Sequence, residues 1–468
     1  MVPKGPGCRG CPFETKGRWM VPDEYRPVPV LVLGDAPGEH EERGERLVAR
    51  AGKLKTWEAC DPAPFLGDDG HDLDRTYLPL AGLVREDVSL ATVIRCRVGG
   101  SRALPPLGRK EVQVAIRQCQ GAYFRPQTES RVVVALGQHA LWAVSGEDGG
   151  DPPPHGISRT IAGWRGWVLP WSPFTRQKTS HVWSSAGITG VRGKQLQASQ
   201  LISCVYATLP PVSIYAAPWL KPAVLRDWQK LGELLAGRWP QSMPPIQRAM
   251  TVWPREFAFD TEFWSSGERR EQRLVRYSAS DGAEVWVVEA GTPNPHLPQK
   301  PPSVVMHHAD SDIDQLEEFL GGVPTCNDTL YAHHALHAEL AHDLDFLGSL
   351  YARTNRWKHL SRTNPVEYSA GDALGTWDVW QGLRAEFARD PQSEWVYRNT
   401  LLPLLTVVGR SRRVGPRVAQ GRAQKAVSAL REAQQSLLLQ THAAAGWPMN
   451  LKSAAHVAAQ GYGVERWR

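Results

Sequence analysis

The sequence predicts an α/β protein of several domains that ends in an α-helical segment. At 468 residues the chain is too long for one ordinary hydrophobic core, so about three domains are expected. The first 208 residues alternate apolar strands with helices, which indicates a parallel sheet. Residues 251–390 contain a β-rich stretch with acids, and residues 391–468 carry apolar residues at helical spacing.

Three strands define the first region. The apolar run 28–33 leads into a glycine loop over 34–38, a change that is typical of ligand sites in α/β proteins. A second strand is expected to end at 93–97, and a third, over 132–137, precedes a helix over 139–144. These elements together predict one sheet covered by helices.

Two acids separated by one residue stand in the β-rich run 257–263, Phe-Ala-Phe-Asp-Thr-Glu-Phe. On a strand, the side chains of Asp260 and Glu262 would lie on the same face. Two adjacent carboxylates repel, and burying them is costly unless a cation lies between them. The pair therefore indicates either a divalent metal site or a solvated strand edge.

Further acids follow in order along the chain. Asp312 precedes a helical pattern, and Tyr368 and Asp372 lie four residues apart, on one face of a helix. In this order and spacing, the acids and the tyrosine resemble the proofreading 3′–5′ exonuclease domain of family A DNA polymerases, over roughly residues 251–390. His308 departs from that family, which usually has Asn there.

The exonuclease resemblance implies a ribonuclease-H-like mixed sheet flanked by helices. It implies that Tyr368 orients an attacking water. The residues that it implies as ligands of two divalent ions, Mg²⁺ or Mn²⁺, are Asp260, Glu262, Asp312 and Asp372.

Composition and charge limit the function classes. The 54 Lys and Arg against 48 Asp and Glu permit a nucleic-acid partner without requiring one. The basic runs 102–110 and 410–413 are either nucleic-acid contacts or solvated surface. Nineteen Trp are explained first by core packing, with base stacking possible for a few. With no signal peptide and no apolar run of membrane-spanning length, a cytoplasmic protein without membrane partner is expected, in a bacterial or viral replication context.

Cysteines in the first region suggest a metal centre. An odd count of seven argues against a closed disulfide framework. Cys8 and Cys11 form a C-x-x-C in a Gly- and Pro-rich loop, Cys96 ends a strand and Cys119 lies further along. By ligand type, an iron–sulfur cluster, zinc and unconnected thiols all remain open. The thiols interpreted as ordinary packing residues are Cys60, Cys204 and Cys326.

Five motifs in the first region resemble family 4 uracil-DNA glycosylases, the iron–sulfur class, over roughly residues 1–208. They are G-D-A-P-G-E-H-E-E at 34–42, R-A-G-K-L at 50–54, A-G-L-V-R-E-D-V at 81–88, V-I-R-C-R at 93–97 and V-V-V-A-L-G at 132–137. The residues that the resemblance implies as ligands of a [4Fe–4S] cluster are Cys8, Cys11, Cys96 and Cys119.

Several residues depart from the glycosylase pattern. The family stacks the base on a Phe of its G-R-P-F-V-G-R-A-G stretch, aligned here with Leu47, and reads the base with an Asn, here Thr92. Its catalytic His is aligned with Ser172, and the acid of its glycine loop is shortened to Asp35. We expect a DNA-binding domain that no longer excises uracil, with a different base specificity as the alternative. Basic residues expected near the DNA are Arg46, Arg50, Lys53, Arg95, Arg97 and Arg102.

The remaining segments connect and extend these domains. Residues 209–250 are predicted to be a connector with a helix over 221–235. Residues 391–468 resemble the first thumb helices of family A polymerases, and no palm sequence follows. The chain is therefore expected either to be truncated or to work beside a separate polymerase subunit.

The combined hypothesis is a metal-dependent 3′–5′ DNA exonuclease, the proofreading module of a family A-type polymerase, with an N-terminal glycosylase-like iron–sulfur domain. Its partner would be single-stranded DNA or a primer 3′ end. Two alternatives remain open: a repair glycosylase of altered base specificity fused to an exonuclease, and a non-catalytic DNA clamp for a polymerase.

Overall fold

The structure is a computed structural model, and it describes part of the chain. The described residues are 3–15, 19–49, 55–98, 105, 109–123, 131–144, 161–169, 183–184, 187–188, 204–265, 272–292, 303–310, 312–313, 325–414 and 419–446.

Fifteen strands lie in the described ranges. They are β1 (Val30–Gly34), β2 (Glu45–Ala49), β3 (Lys55–Ala59), β4 (Val88–Thr92), β5 (Val132–Leu136), β6 (Trp167–Leu169), β7 (Trp183–Ser184), β8 (Gly187–Ile188), β9 (Cys204–Thr208), β10 (Ile246–Gln247), β11 (Glu256–Ser265), β12 (Gln272–Ser280), β13 (Val285–Glu289), β14 (Ser303–Met306) and β15 (Thr325–Asp328).

The α-helices of the same ranges are α1 (Glu39–Arg43), α2 (Asp68–Asp72), α3 (Leu78–Leu80), α4 (Lys110–Tyr123), α5 (Gln138–Val144), α6 (Ile161–Trp164), α7 (Ser213–Ala216), α8 (Lys221–Leu235), α9 (Thr329–Leu336), α10 (Leu344–Tyr351), α11 (Pro365–Phe387), α12 (Pro391–Val396), α13 (Leu402–Val414) and α14 (Gln420–Ala445). None of these helices has the length and hydropathy needed to cross a membrane.

The first region folds around a five-stranded sheet of order β4-β1-β5-β9-β6. The first four strands run parallel and β6 is antiparallel to β9, which confirms the predicted parallel α/β arrangement. Gly34 at the end of β1 lies opposite Thr92 at the end of β4. The loops that follow these two strands therefore share the carboxyl edge of the sheet, where α/β folds place ligands.

The second sheet is mixed, with order β10-β13-β12-β11-β14-β15. Strand β11 pairs antiparallel with β12 and parallel with β14. Phe257 and Phe259 on β11 are buried, and Asp260 and Glu262 lie beyond Ala258, where the pairing of β11 with β14 ends. Helix α11 packs against β11 and β12. Mixed sheet, flanking helices and the helical C-terminal part agree with the predicted fold class.

Contacts divide the chain into one unit of residues 1–403 and a second of residues 404–468. Within the first unit both sheets contribute to one hydrophobic cluster, which contains Val32, Tyr206, Trp357 and Trp380. The rings of Trp167 and Trp357 meet edge to face at a centroid distance of 5.8 Å. The boundaries predicted at 208 and 250 remain predictions. In the second unit, α14 ends at Gly446, which adopts a left-handed conformation.

Helix α8 lies where the connector helix was predicted, and it buries charge between the two sheets. Asp227 is fully buried, forms an ion pair with Arg165 and accepts a hydrogen bond from the Thr208 hydroxyl. The Arg165 guanidinium also reaches the Ser349 hydroxyl, and Lys230 donates to the backbone oxygen of Ser349 (2.8 Å). Burial raises the pKa of Asp227 to about 6, although Arg165 opposes the shift. This buried ion network joins α8 to both halves of the unit.

We expect Asp227→Asn to lower the free energy of unfolding by about 3–5 kcal/mol, because it leaves Arg165 buried without its counter-charge. Glu233→Gln on the same helix is the control, since its ion pair with Arg226 is about one-third exposed. The control should cost under about 1 kcal/mol. Urea denaturation followed by circular dichroism measures both, and equal losses would contradict a special role for the buried pair.

Candidate functional site

Three carboxylates converge beside β11. Asp260 and Glu262 are half-buried on the strand and Asp372 is buried on α11, and each offers an oxygen within 4.8 Å of the others. The alternation of the strand places Asp260 and Glu262 on one face, as the sequence predicted. The pairing of β11 with β12 is irregular between Glu262 and Phe263, directly after the second acid.

Burial and mutual repulsion oppose ionisation of these acids. Burial, then Asp372, Asp312 and Glu262, raise the pKa of Asp260 well above its ordinary value. Burial and Asp372 likewise raise the pKa of Glu262. A set of oxygen ligands that cannot all carry charge without a cation fits a hard divalent ion.

One side chain supplies positive charge inside the site. The Lys358 ammonium forms an ion pair with Asp372 and lies 3.5 Å from the Tyr368 hydroxyl. Burial disfavours the ammonium, yet contact with Asp372 holds the pKa of Lys358 above its usual range. The ammonium therefore offsets part of the carboxylate charge. Sequence reasoning assigned no role to Lys358, which directly follows Trp357 in the chain.

Trp357 fixes Asp372 from the other side. Its indole N–H donates to Asp372 Oδ1 at 2.6 Å, and its ring lies across α11 at Gly371. A Cβ at Gly371 would lie 2.3 Å from Trp357 Cγ, so a larger residue there would displace the indole. The helix therefore needs glycine at this position to let the tryptophan reach the carboxylate.

Asp312, the fourth predicted ligand, is buried near the group but does not join it. Its carboxylate accepts a hydrogen bond from the Thr261 hydroxyl, and it raises the pKa of Asp260 as a near neighbour. Asp328 anchors the segment that leads to Asp312. It caps α9 by accepting from the backbone N–H of Leu330 at 2.8 Å, and it accepts from that of Ala309 at 2.6 Å.

Tyr368 stands one helical turn before Asp372, with its ring half-buried. Burial, then Asp372, raise the pKa of its hydroxyl, so the phenol stays protonated at neutral pH. The hydroxyl can donate one hydrogen bond and accept others. His308, the departure from the family pattern, is 56% exposed and pairs with Asp310 (3.0 Å).

The four cysteines of the predicted cluster line one cavity. Cys8 and Cys11 come from the N-terminal loop, Cys96 follows β4 and Cys119 lies on α4. Gln118 ties α4 to that loop by donating to the backbone oxygens of Gly7 (3.0 Å) and Arg9 (2.8 Å). The long-range convergence of four thiols fits the donor set of an iron–sulfur cluster.

The thiols resist ionisation in the protein alone. Burial raises the pKa of Cys96 to about 11 and that of Cys119 to about 12, with neighbouring cysteines adding to both shifts. Binding of a positively charged centre would reverse this penalty, because only the thiolate ligates metal. Of the other cysteines, Cys204 is buried as the packing interpretation requires, whereas Cys60 is exposed and packing does not explain it.

Both carboxylate oxygens of Asp35, in the glycine loop after β1, have partners within the protein. Its Oδ1 accepts from the backbone N–H of Ala140 and its Oδ2 contacts His139 Nδ1, each at 3.0 Å. Burial disfavours protonation of His139, but the bond to Asp35 keeps the pKa of the imidazole above its ordinary value. Asp35 thus holds the start of α5, and sequence reasoning missed its partner His139.

An aromatic ring does lie next to this loop, and it belongs to Phe65. A Cβ at Gly34 would lie 2.6 Å from Phe65 Cζ, so the ring rests directly on the glycine. Phe65 has a positive φ of 57°, and Arg85 donates to its backbone oxygen at 3.1 Å. Leu47 is buried on β2, opposite Trp57. The assignment of Leu47 to the stacking position stays a prediction, and Phe65 is a second candidate for that position.

The sequence held a signal for Phe65. The four residues 64–67 read Pro-Phe-Leu-Gly, which fits the P-F-V-G of the family stretch better than the residues around Leu47. Glu41 fixes this segment, since its Oε1 accepts from the backbone N–H groups of Leu66 and Gly67, each at 3.1 Å. Thr92 is 4% exposed, and its hydroxyl has no hydrogen-bond partner in the described part of the chain.

The basic residues predicted to face DNA are only partly described. Arg46 pairs with Asp74 (2.9 Å), Arg97 pairs with Glu39 (3.1 Å), and Arg95 forms an ion pair with Asp23. These contacts neutralise part of the expected positive surface. Four predicted site residues lie outside the described residues: Arg50, Lys53, Arg102 and Ser172.

Comparison with known proteins agrees with the N-terminal motifs. Residues 22–185 match the family model of the uracil DNA glycosylase superfamily. The type-4 uracil-DNA glycosylase of Archaeoglobus fulgidus is 30% identical over 138 residues, which cover 28% of this chain and 56% of that protein. The type-4 uracil-DNA glycosylase of Saccharolobus solfataricus is 27% identical over 137 residues, which cover 28% of this chain and 52% of that protein. The chain thus spans about half the length of these curated relatives.

Two solved structures that are similar to this chain each cover about a third of its length. Brucella melitensis NrnC with bound Mg²⁺ is 18% identical with a TM-score of 0.29, covering 37% of this chain and 98% of that chain. Escherichia coli RNase D, an exoribonuclease involved in structured RNA processing, is 18% identical with a TM-score of 0.29. The match covers 35% of this chain and 46% of that chain. The predicted likeness of the N-terminal region to type-4 glycosylases is confirmed, whereas the polymerase thumb stays a prediction.

Proposed function

We propose that this chain is a metal-dependent 3′–5′ DNA exonuclease whose N-terminal region is a DNA-binding, glycosylase-like domain with an iron–sulfur cluster. The observation that carries the nuclease proposal is the convergence of Asp260, Glu262 and Asp372 within 4.8 Å. Three adjacent carboxylates, of which Asp260 and Glu262 have a raised pKa, are an unfavourable structural element, and a cation-dependent reaction gives them a purpose. Proofreading beside a family A-type polymerase is the physiological role that we propose.

The carboxylates would hold divalent ions, Mg²⁺ or Mn²⁺, with Asp312 approaching as the fourth ligand. Such ions, when bound in a pair about 4 Å apart, supply an activated water and neutralise the leaving oxygen in phosphodiester hydrolysis. The chain's part is to fix the ligands: Trp357 and Lys358 hold the Asp372 carboxylate, and Ser369 donates to Glu262 at 3.4 Å.

Tyr368 and Lys358 are the groups available to act on the reacting atoms. The phenol is kept protonated, so it can orient a water through its hydroxyl oxygen or donate to a phosphate oxygen. The ammonium, 3.5 Å from that hydroxyl, is placed to attract the scissile phosphate. The DNA strand would therefore approach the face of β11 that carries Asp260 and Glu262, with its 3′ end at Tyr368.

Replacing both Asp260 and Glu262 by Ala should lower the rate of 3′-end digestion at least about a thousandfold, because the metal site loses two anionic ligands. A 5′-labelled single-stranded DNA with Mg²⁺ or Mn²⁺ would be shortened stepwise by the unaltered chain. Glu284→Ala, an exposed acid on the turn between β12 and β13, is the matched control and should leave the rate unchanged. Digestion that the double variant does not slow would refute the assignment, and digestion of RNA but not DNA would correct the substrate.

The cluster is proposed on four thiols, Cys8, Cys11, Cys96 and Cys119, that line one cavity. When bound, a [4Fe–4S] centre would cross-link the N-terminal loop to β4 and α4, which are distant in sequence. Similarity to type-4 glycosylases supports an iron–sulfur cluster through the matched residues 22–185, which contain Cys96 and Cys119.

Cys96→Ser should remove a broad absorbance expected near about 400 nm from thiolate bound to iron, and should lower the thermal stability of the N-terminal region. Cys60→Ser is the control, because that thiol is exposed and outside the cavity. Iron and sulfide analysis of the purified chain accompanies the spectrum. A colourless protein with stoichiometric zinc would replace the iron assignment.

The glycosylase-like region is proposed to bind DNA without excising uracil. Thr92 offers one hydroxyl where the family presents an amide, and Asp35 is occupied by Ala140 and His139. Phe65 supports the second candidate, a base pocket of altered specificity, because its ring lies beside Gly34 at the carboxyl edge of the first sheet, where α/β folds place ligands.

Incubation of uracil-containing DNA with the Asp260→Ala/Glu262→Ala chain should give no abasic sites above background after alkaline cleavage. The double variant is used because its inactive nuclease leaves the substrate intact. Loss of both amide recognition and the catalytic group implies a rate loss of several powers of ten. Fluorescence anisotropy at several salt concentrations measures whether the same protein binds the DNA. Binding would exclude the explanation that abasic sites are missing because the protein does not contact the DNA. Uracil release would show an active site, and release of another damaged base would favour the second candidate.

A further inference from the structure

Four histidines form a cluster at the end of α9, apart from the carboxylate group. They are His333, His334, His337 and His342. His342 contacts two of the others at once: its Nδ1 lies 2.7 Å from His333 Nδ1, and its Nε2 lies 3.1 Å from His334 Nδ1. The sequence analysis assigned no role to any of these imidazoles.

His337 joins the cluster through α9 and is oriented by a carboxylate. It lies one turn after His333, and the two ring centroids are 5.2 Å apart. Its Nε2 contacts Glu386 Oε2 at 2.8 Å, and the other oxygen of Glu386 accepts from the Tyr351 hydroxyl at 2.8 Å. An imidazole whose one nitrogen is held by a carboxylate presents the other as a basic ligand.

The hydrogen bonds among the four imidazoles are incomplete. Each of the two contacts of His342 needs one N–H and one bare nitrogen, so the three rings share their protons along a chain. His333 is fully buried, and its Nε2 has no hydrogen-bond partner in the part of the chain that the structure describes. Because Nδ1 of His333 faces His342, Nδ1 is the nitrogen available as a ligand, and Nε2 would carry the proton.

We propose that His333, His337 and His342 bind one divalent transition-metal ion of the zinc class, with Glu386 and His334 orienting two of the ligands. Imidazole nitrogen suits zinc, nickel and copper, whereas the oxygen ligands at Asp260 and Glu262 suit magnesium and manganese. The two sites would therefore select different ions. Two histidines one helical turn apart on one face are a recurrent zinc-binding pair.

Binding requires the rings to move, because among the described His, Cys, Asp and Glu residues only the carboxylate group already brings three ligand atoms within 4.8 Å of one another. Two imidazole nitrogens on a tetrahedral zinc lie about 3.3 Å apart, so the 2.7 Å contact of His333 with His342 must open by roughly half an ångström. His337 must turn towards the same point. Its side chain borders a groove of about 400 Å³ that Trp219, Leu336 and Leu340 also line.

The expected consequence is structural. Glu386 belongs to α11, which also carries Asp372, and the three histidines belong to α9 and the loop after it. An ion would thus fasten α9 to the helix that carries the carboxylate site. Metal that binds only the folded chain raises its stability.

The test uses the full chain with its cluster retained and with Asp260→Ala/Glu262→Ala, so that the carboxylates do not compete for the probe. Zn²⁺ is titrated against a chromogenic chelator, and thermal unfolding is recorded with and without Zn²⁺. The parent should hold one zinc more than the variant that adds His337→Gln/His342→Gln, and zinc should raise the melting temperature of the parent only. His71→Gln, on α2, is the matched control and should retain that zinc.

A second variant keeps the proposal testable if the double histidine variant fails to fold. Glu386→Gln preserves all three ligands and should weaken zinc binding about 10- to 100-fold through loss of the orienting carboxylate. Equal zinc stoichiometry and affinity in parent, Glu386→Gln and His71→Gln would overturn the proposal. The absence of any zinc-dependent rise in the melting temperature of the parent would do so as well.

Discussion

Asp260, Glu262 and Asp372 repel one another, and the local structure of the second sheet is arranged to hold them together. Their oxygens lie within 4.8 Å, and burial strengthens the repulsion because water screens it less. Lys358 offsets part of the charge and the Trp357 indole donates to Asp372. A strand, a helix and the loop before that helix are thereby tied to one point, and the cost of the arrangement is the physical reason to expect cations there.

Buried charges also connect the two sheets. Asp227 on α8 is fully buried with Arg165 as its counter-ion, and Lys230 reaches the backbone of Ser349. Breaking such a pair leaves a charge in a low-dielectric interior, whereas replacing the whole network by apolar groups would not. The regions of the first and second sheets are therefore held in one unit by specific partners as well as by the shared apolar cluster around Trp357.

In the N-terminal region, tertiary contacts bring together residues of the glycosylase-like motifs. Four thiols meet in one cavity, and Phe65 rests on Gly34 beside the glycine loop. Asp35, however, accepts from Ala140 and contacts His139, so its oxygens serve the start of α5. A carboxylate with both oxygens engaged is poorly placed to activate water, which agrees with the proposal that this region does not excise uracil.

The sequence by itself determined the features that depend on local periodicity. Alternation placed Asp260 and Glu262 on one strand face, four-residue spacing placed Tyr368 and Asp372 on one helix face, and apolar spacing located α8. Only the tertiary structure decided which distant groups meet. The Phe65 ring on Gly34, the imidazoles around His342 and the Arg165–Asp227 pair depend on backbone paths between elements far apart in sequence, and no short-range pattern encodes those paths.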